Sequence, residues 1–156
     1  MNLTEQYEQI RKKEFYFRGI KLTPLQIKLL KTLREKARTG DLVIPEDEGY
    51  GRGSGKTTVL VKLAEELGAP LIEPNLFLAN ELQKRYPGVP VYSASEVRSR
   101  LMGAPRTDLA IIDEGVDPMA VLEVVPRITG VTNHHIAGNV LMHRVVHTET
   151  ESRRRD

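Results

Sequence analysis

The chain has 156 residues, 40% of them hydrophobic and 28% charged, with a net charge of +2 and no cysteine. That length suits one compact domain, and the ordinary balance of apolar and charged residues excludes a disordered, collagen-like or coiled-coil chain. Without cysteine there can be no disulfide, thiolate metal site or cysteine nucleophile; with no apolar run near the roughly 20 residues of a membrane span and no signal-like apolar core at the start, a soluble cytoplasmic protein is expected, without a membrane partner.

The charge is unevenly spread. Residues 1–40 carry ten Lys/Arg against four Asp/Glu, and residues 41–156 carry thirteen against seventeen. A basic front on a mildly acidic body suits nucleic-acid or phosphate contact, because cations that pair with phosphates release condensed counterions. A solvated basic helix face would give the same pattern. Residues 4–17 read as a helix of mixed polarity, within a helical extension over 1–20.

The main domain is expected over 21–148, with a fraying tail at 149–156. Thr23 is placed to cap a helix, Pro24 suits its first position, and Gly40 follows its last turn. At about 100° per residue, Leu25, Leu29, Leu30, Leu33 and Ala37 share one arc, and Lys28, Lys31, Arg34 and Arg38 share the opposite one. The helix over 24–38 should therefore bury one side and present a basic stripe on the other.

Strands and helices then alternate. Strands are expected at 42–44, 71–72, 89–92, 109–112 and 128–132, with a last strand or strand pair over 136–146. Helices are expected at 56–67, 76–86, 95–102 and 118–125. This order predicts an α/β fold with a mainly parallel sheet covered on both faces.

The segment Gly49-Tyr-Gly-Arg-Gly-Ser-Gly-Lys-Thr-Thr58 lies between the first of these strands and its helix. Glycines let successive backbone N–H groups turn inward around an anion, and the following helix adds the partial positive charge of its N-terminus. Lys56 supplies a full charge for the β- and γ-phosphates, and the Thr57 hydroxyl can ligate Mg²⁺. The pattern G-x-x-x-x-G-K-[ST] asks for glycine where Tyr50 stands, and Glu46-Asp47-Glu48 precede the loop.

Further on, Asp108-Leu-Ala-Ile-Ile-Asp-Glu114 is an apolar strand that ends in two acidic residues. It should deliver Asp113 to the carboxyl edge of the sheet, where α/β ligands bind. Asp113 can hold Mg²⁺ there, and Glu114 can orient and deprotonate a water that attacks the γ-phosphate.

Together these motifs resemble those of P-loop NTPases with a catalytic glutamate beside the magnesium aspartate. The similarity is to the ATPase core of phage large terminases and of superfamily 1 and 2 helicases. Gly51-Arg-Gly-Ser-Gly-Lys-Thr57 resembles the terminase form of the loop. Leu22-Thr-Pro-Leu-Gln26 resembles the segment in which a glutamine contacts adenine. Ile128-Thr-Gly-Val-Thr-Asn133 resembles the strand whose polar tip couples hydrolysis to movement.

The resemblance spans about residues 20–135 and implies a RecA-like three-layer sandwich that binds ATP and Mg²⁺. It places Gln26, Gly51, Gly53, Ser54, Gly55, Lys56, Thr57 and Thr58 on the nucleotide, and Thr57 and Asp113 on the metal. Lys56, Glu114 and Arg52 would be catalytic, with Arg52 acting as an arginine finger in cis; Arg100, Arg106 and Arg127 are candidates to reach a neighbour's site. The function implied is a minimal terminase- or helicase-like motor subunit, as in DNA packaging. It would act in the host cytoplasm if viral, and on DNA in preference to RNA through helix 24–38. A homo-oligomer or a partner subunit would supply an arginine.

Two alternatives stand beside it. One is a nucleotide-dependent binding or assembly protein with little or no hydrolysis, favoured by Tyr50, the acidic triplet and the lack of room for a second domain. The other is phosphoryl transfer to a small molecule, against which stands the lack of an arginine-rich lid. His134, His135, His143 and His147 suit polar roles near the nucleotide better than a metal site.

Overall fold

The computed structural model describes residues 2–45, 55–102 and 107–132. Residues 46–54, with Tyr50, Gly51, Arg52, Gly53 and Ser54, lie outside the described residues. So do Arg106, the four histidines, the expected strand over 136–146 and the tail.

Helix α1 (Leu3–Phe15) buries none of its side chains. It ends sooner than its sequence suggests, because Tyr16–Phe17 (β1) pairs antiparallel with Ile20–Lys21 (β2). Arg18 (φ 50°) and Gly19 (φ 81°) form the turn; positive φ at both central residues matches the right-handed twist of a two-residue hairpin. The hairpin carries Phe17 into the core at 6% exposure, so it spans the boundary expected at residue 20. Arg18 pairs with Glu65 at 2.6 Å and lies over the rings of Phe17 and Tyr86.

Helix α2 (Pro24–Thr39) follows its sequence signals closely. The Thr23 hydroxyl accepts the Gln26 N–H and the Gln26 side chain accepts the Thr23 N–H, while Gly40 closes the helix in the left-handed conformation. Leu29, Leu30, Leu33 and Ala37 are buried as the periodicity predicts.

The remaining elements are β3 (Leu42–Val43), α3 (Lys56–Leu67), β4 (Leu71–Glu73), α4 (Leu76–Arg85), β5 (Val91–Ser93), α5 (Val97–Leu101), β6 (Leu109–Ile112), α6 (Pro118–Leu122) and β7 (Arg127–Val131). Strands β3 to β7 form one five-stranded parallel sheet in the order β3-β7-β6-β4-β5.

Several boundaries differ from the sequence reading by a few residues, two of them through side-chain hydrogen bonds nearby. Strand β5 starts at Val91 and not Val89, because the Gln83 side chain holds both the Val89 carbonyl and the Val91 N–H. The helix expected from Ser95 is a 3₁₀ turn (Ala94–Glu96) that leads into α5, and its capping box joins Ser93 and Glu96.

Strand alternation divides the core into two layers. Val43, Leu71, Ile111 and Val131 pack with α2, α3 and α4, while Leu42, Ile72, Ala110, Ile112 and Ile128 pack with α5 and α6. Each large aliphatic side chain so buried contributes about 1.5–3 kcal/mol. From β4 the chain moves outward to β5 through α4; from β6 it returns to β7 through α6. Connections from the neighbouring strands β4 and β6 thus leave in opposite directions, and such a switch point opens a crevice at the carboxyl ends of the strands. Among the described residues, no helix is long and apolar enough to cross a membrane.

Gly130 lets β7 fit between β3 and β6. It has φ +125°, and a Cβ built on it would fall on the Ile112 carbonyl oxygen and lie 2.8 Å from the Ile112 nitrogen. Gly130→Ala is therefore expected to destabilise the fold by about 3 kcal/mol or more. Gly88→Ala, with open space around the added methyl, should stay within about 0.5 kcal/mol. Urea denaturation of both variants checks the pair; equal midpoints would refute the close-approach argument.

Candidate functional site

Gly55 sits in the left-handed region at the start of α3 and, as a glycine, has no side chain with which to cap it. The first N–H groups of a helix have no intrahelical carbonyl to bond, and they concentrate partial positive charge at one point. Lys56 and Thr57 open the helix at that point.

Strand β6 meets this helix end with Asp113, which is only 7% exposed. Asp113 Oδ2 accepts the Thr57 hydroxyl at 3.0 Å, and Oδ1 accepts the Glu114 N–H at 2.8 Å. The Lys56 ammonium lies 3.4 Å from Glu114 Oε1. Four residues singled out in two segments more than fifty positions apart thus form one connected cluster. Thr58 follows on α3, half-buried.

Gln26 touches the same helix start. Its amide nitrogen donates to the Gly55 carbonyl at 3.2 Å, while its amide oxygen accepts the Thr23 N–H at 2.9 Å. Both ends of the amide are committed to backbone, so Gln26 is a strut between α2 and the end of the glycine-rich loop. A Cβ on Gly55 would collide with that amide.

The sequence reading passes over one buried acid. Glu73, the last residue of β4, is 2% exposed and lies on the same sheet face as Asp113. The register Leu71↔Ile111 and Ile72↔Ile112 brings Glu73 alongside Asp113, whose N–H bonds to the Ile72 carbonyl. Burial first, and then the charge and hydrogen bonding of Asp113, push the Glu73 carboxyl up to about 9. A signal was present: Leu71-Ile-Glu73 repeats the apolar-apolar-acid ending of Ile111-Ile-Asp113.

Among the described residues, two buried side-chain oxygens have no hydrogen-bond partner, Glu73 Oε1 and Thr132 Oγ1. Both stand at the carboxyl edge of the sheet, on the strands that flank β6. Asp113 and Thr57 offer hard oxygen donors of the kind Mg²⁺ takes, and Mg²⁺ is usually held by one or two carboxylates together with substrate phosphates and water. The residues present fit that cation. They do not form an all-protein cage, and among the described residues no three His, Cys, Asp or Glu side chains converge as one.

The basic stripe is narrower than the periodicity suggests. Arg34 is drawn into a network, bonding Glu66 at 2.7 and 3.0 Å and Glu14 at 2.9 Å. The hydrogen bond to Glu66 raises the Arg34 pKa against its burial. Burial alone would raise the Glu66 carboxyl, but Arg34 and Lys62 hold it below its ordinary value. Lys28, Lys31 and Arg38 stay exposed.

Of the arginines considered for a neighbouring site, Arg127 starts β7 at the opposite, amino edge, where it donates to the Ala37 and Arg38 carbonyls that end α2. Arg100 lies 3.5 Å from Glu96 and packs over Tyr92. A concavity of about 960 Å³ also opens at the amino edge, between Arg34, Arg38, Glu66, Asp108 and Arg127; it is remote from the acidic cluster, and in it Arg34 pairs with Glu66 while Arg127 bonds backbone carbonyls.

No family model, curated protein or solved structure matches the chain.

The raised Glu73 carboxyl has a consequence for stability. Between the ordinary carboxylate range and about 9, the folded chain holds a proton that the unfolded chain has lost, so stability falls as pH rises through that window. Glu73→Gln removes this dependence. The variant should match the parent near pH 4 and exceed its Tm by a few degrees near pH 8, on a scale where ~1 kcal/mol moves a domain of this size by about 2–4 °C. Thermal melts across that range test it, and a parallel pH profile in the two proteins would refute it.

Proposed function

We propose that the chain binds Mg-ATP and hydrolyses it, as a minimal terminase- or helicase-like motor subunit of RecA-like P-loop fold that works with nucleic acid, DNA in preference to RNA. The observation that carries this is the 3.0 Å contact of Thr57 with Asp113. It joins the start of the helix after the glycine-rich loop to the tip of the acidic strand, the juxtaposition a magnesium–phosphate site requires. The parallel sheet, with its switch point at β4 and β6, supports the same reading.

In this proposal the N–H groups at the start of α3 and the Lys56 ammonium bind the phosphates, and Thr57 and Asp113 hold Mg²⁺. Bound there, the cation would offset phosphate charge and polarise the phosphoryl group. Glu114 accepts a proton from the attacking water once phosphate competes for Lys56 and releases it. An arginine reaches the phosphate from Arg52 or from a second subunit. Lys28, Lys31 and Arg38 face nucleic acid.

A nucleotide-dependent assembly protein with little hydrolysis is the second reading. The Lys56–Glu114 ion pair favours it, because a carboxylate engaged by lysine is a poor base until the pair opens.

Lys56→Ala should weaken Mg-ATP binding at least about tenfold, on the scale of a lost charge-assisted hydrogen bond. Glu114→Gln should keep binding and lower turnover by about 10²–10⁴-fold. Calorimetry and steady-state phosphate release, with and without DNA or RNA, check both. Unchanged affinity in folded Lys56→Ala would make the loop structural, and binding without turnover in the parent would favour the assembly reading.

Replacing Lys31 and Arg38 together with glutamine should weaken nucleic-acid binding at low salt. It should also flatten the log–log salt slope by about 0.9 per lost contact on duplex DNA, or about 0.7 on a single strand, leaving ATP affinity unchanged. Fluorescence anisotropy at three salt concentrations reads this. An unchanged slope would remove α2 from the interface.

A further inference from the structure

Glu73 stands where packing alone would favour an apolar residue. The two residues before it, Leu71 and Ile72, are fully buried hydrophobics, and Glu73 itself is 2% exposed. Its Oε1 has no partner, and a buried acceptor left unpaired costs about 1–3 kcal/mol. Strand register sets it beside Asp113, on the sheet face that α3 covers. Asp113 already accepts the Thr57 hydroxyl and the Glu114 N–H, so each of its oxygens has a donor while Glu73 retains an open one.

We propose that Glu73 is the second carboxylate of the divalent-cation site, a positioning residue that orients Asp113 and offers Oε1 to the cation's hydration shell. The inference rests on the Mg-ATP reading of the site and extends it to a residue outside both sequence motifs. Small hard cations keep several waters, and the side chains that hold those waters and orient the direct ligands change metal affinity by about 10–100-fold when replaced. Nucleotide binding through α3 and Lys56 does not pass through Glu73. Its replacement should therefore separate cation affinity from nucleotide affinity.

The test uses the intact chain and Mn²⁺ as a paramagnetic probe, alone and with a β,γ-imido analogue of ATP, followed by electron paramagnetic resonance. Calorimetry with the analogue in EDTA measures nucleotide binding separately, and circular dichroism confirms folding. Glu73→Gln is expected to weaken Mn²⁺ binding about 10–100-fold and to leave analogue binding in EDTA unchanged. Glu73→Asp, which keeps the carboxylate, should recover part of the loss.

Mn²⁺ affinity within twofold of the parent in Glu73→Gln would overturn the proposal and leave the nucleotide reading intact. So would a parent that binds the analogue but shows no Mn²⁺ binding in either arm. A parent that binds no analogue under any condition would overturn the Mg-ATP reading itself, and the proposal with it.

Discussion

The pairing of β4 with β6 governs the site. Two short strands, each carrying an isoleucine followed by an acid at its carboxyl end, lie in parallel register with Leu71 beside Ile111 and Ile72 beside Ile112. The next residue on each strand faces the same side of the sheet, so Glu73 and Asp113 meet at a buried edge where two carboxylates cannot both ionise cheaply. The start of α3 covers that edge, with the positive end of its dipole, a lysine and a threonine hydroxyl. The positive helix end and the negative strand tips stabilise each other without nucleotide, and in the proposed function each would supply one half of a magnesium–phosphate site.

Gln26 extends this arrangement into α2. Its amide closes the capping box of α2 and grips the Gly55 carbonyl, so the helix that carries Lys28, Lys31 and Arg38 is tied directly to the end of the glycine-rich loop. Any displacement of Gly55 therefore acts on the N-terminus of α2 through the Gln26 amide.

The two edges of the sheet serve different ends. At the amino edge, Arg34 bonds Glu14 and Glu66, Lys62 pairs with Glu66, and Arg127 bonds the last carbonyls of α2. These polar groups are satisfied and hold elements together. At the carboxyl edge, Glu73 and Thr132 keep unpaired oxygens. Two of the ten basic residues among the first forty, Arg18 and Arg34, pair with Glu65 and Glu66 of α3. Arg11, Lys12, Lys13 and Lys21 stay exposed beside Lys28, Lys31 and Arg38 of α2.

Local chemistry made several features legible from the sequence. Thr23, Pro24, Gln26 and Gly40 bound α2 through contacts within a few residues; Gly68 stops α3, and the apolar run before Asp113 marks β6. The alternation of strand and helix identified an α/β fold, and Lys56, Thr57, Asp113 and Glu114 carried the candidate site because each sits at the boundary of a strongly patterned element. Tertiary structure decided the rest. The Arg18-Gly19 hairpin depends on Phe17 finding the core, the withdrawal of Arg34 from the basic stripe depends on α3 lying alongside α2, and the role of Gln26 depends on where Gly55 comes to rest. Glu73 gains its meaning only when β4 pairs with β6, because a lone acid after two apolar residues looks like a strand meeting solvent until the neighbouring strand shows that no solvent is there.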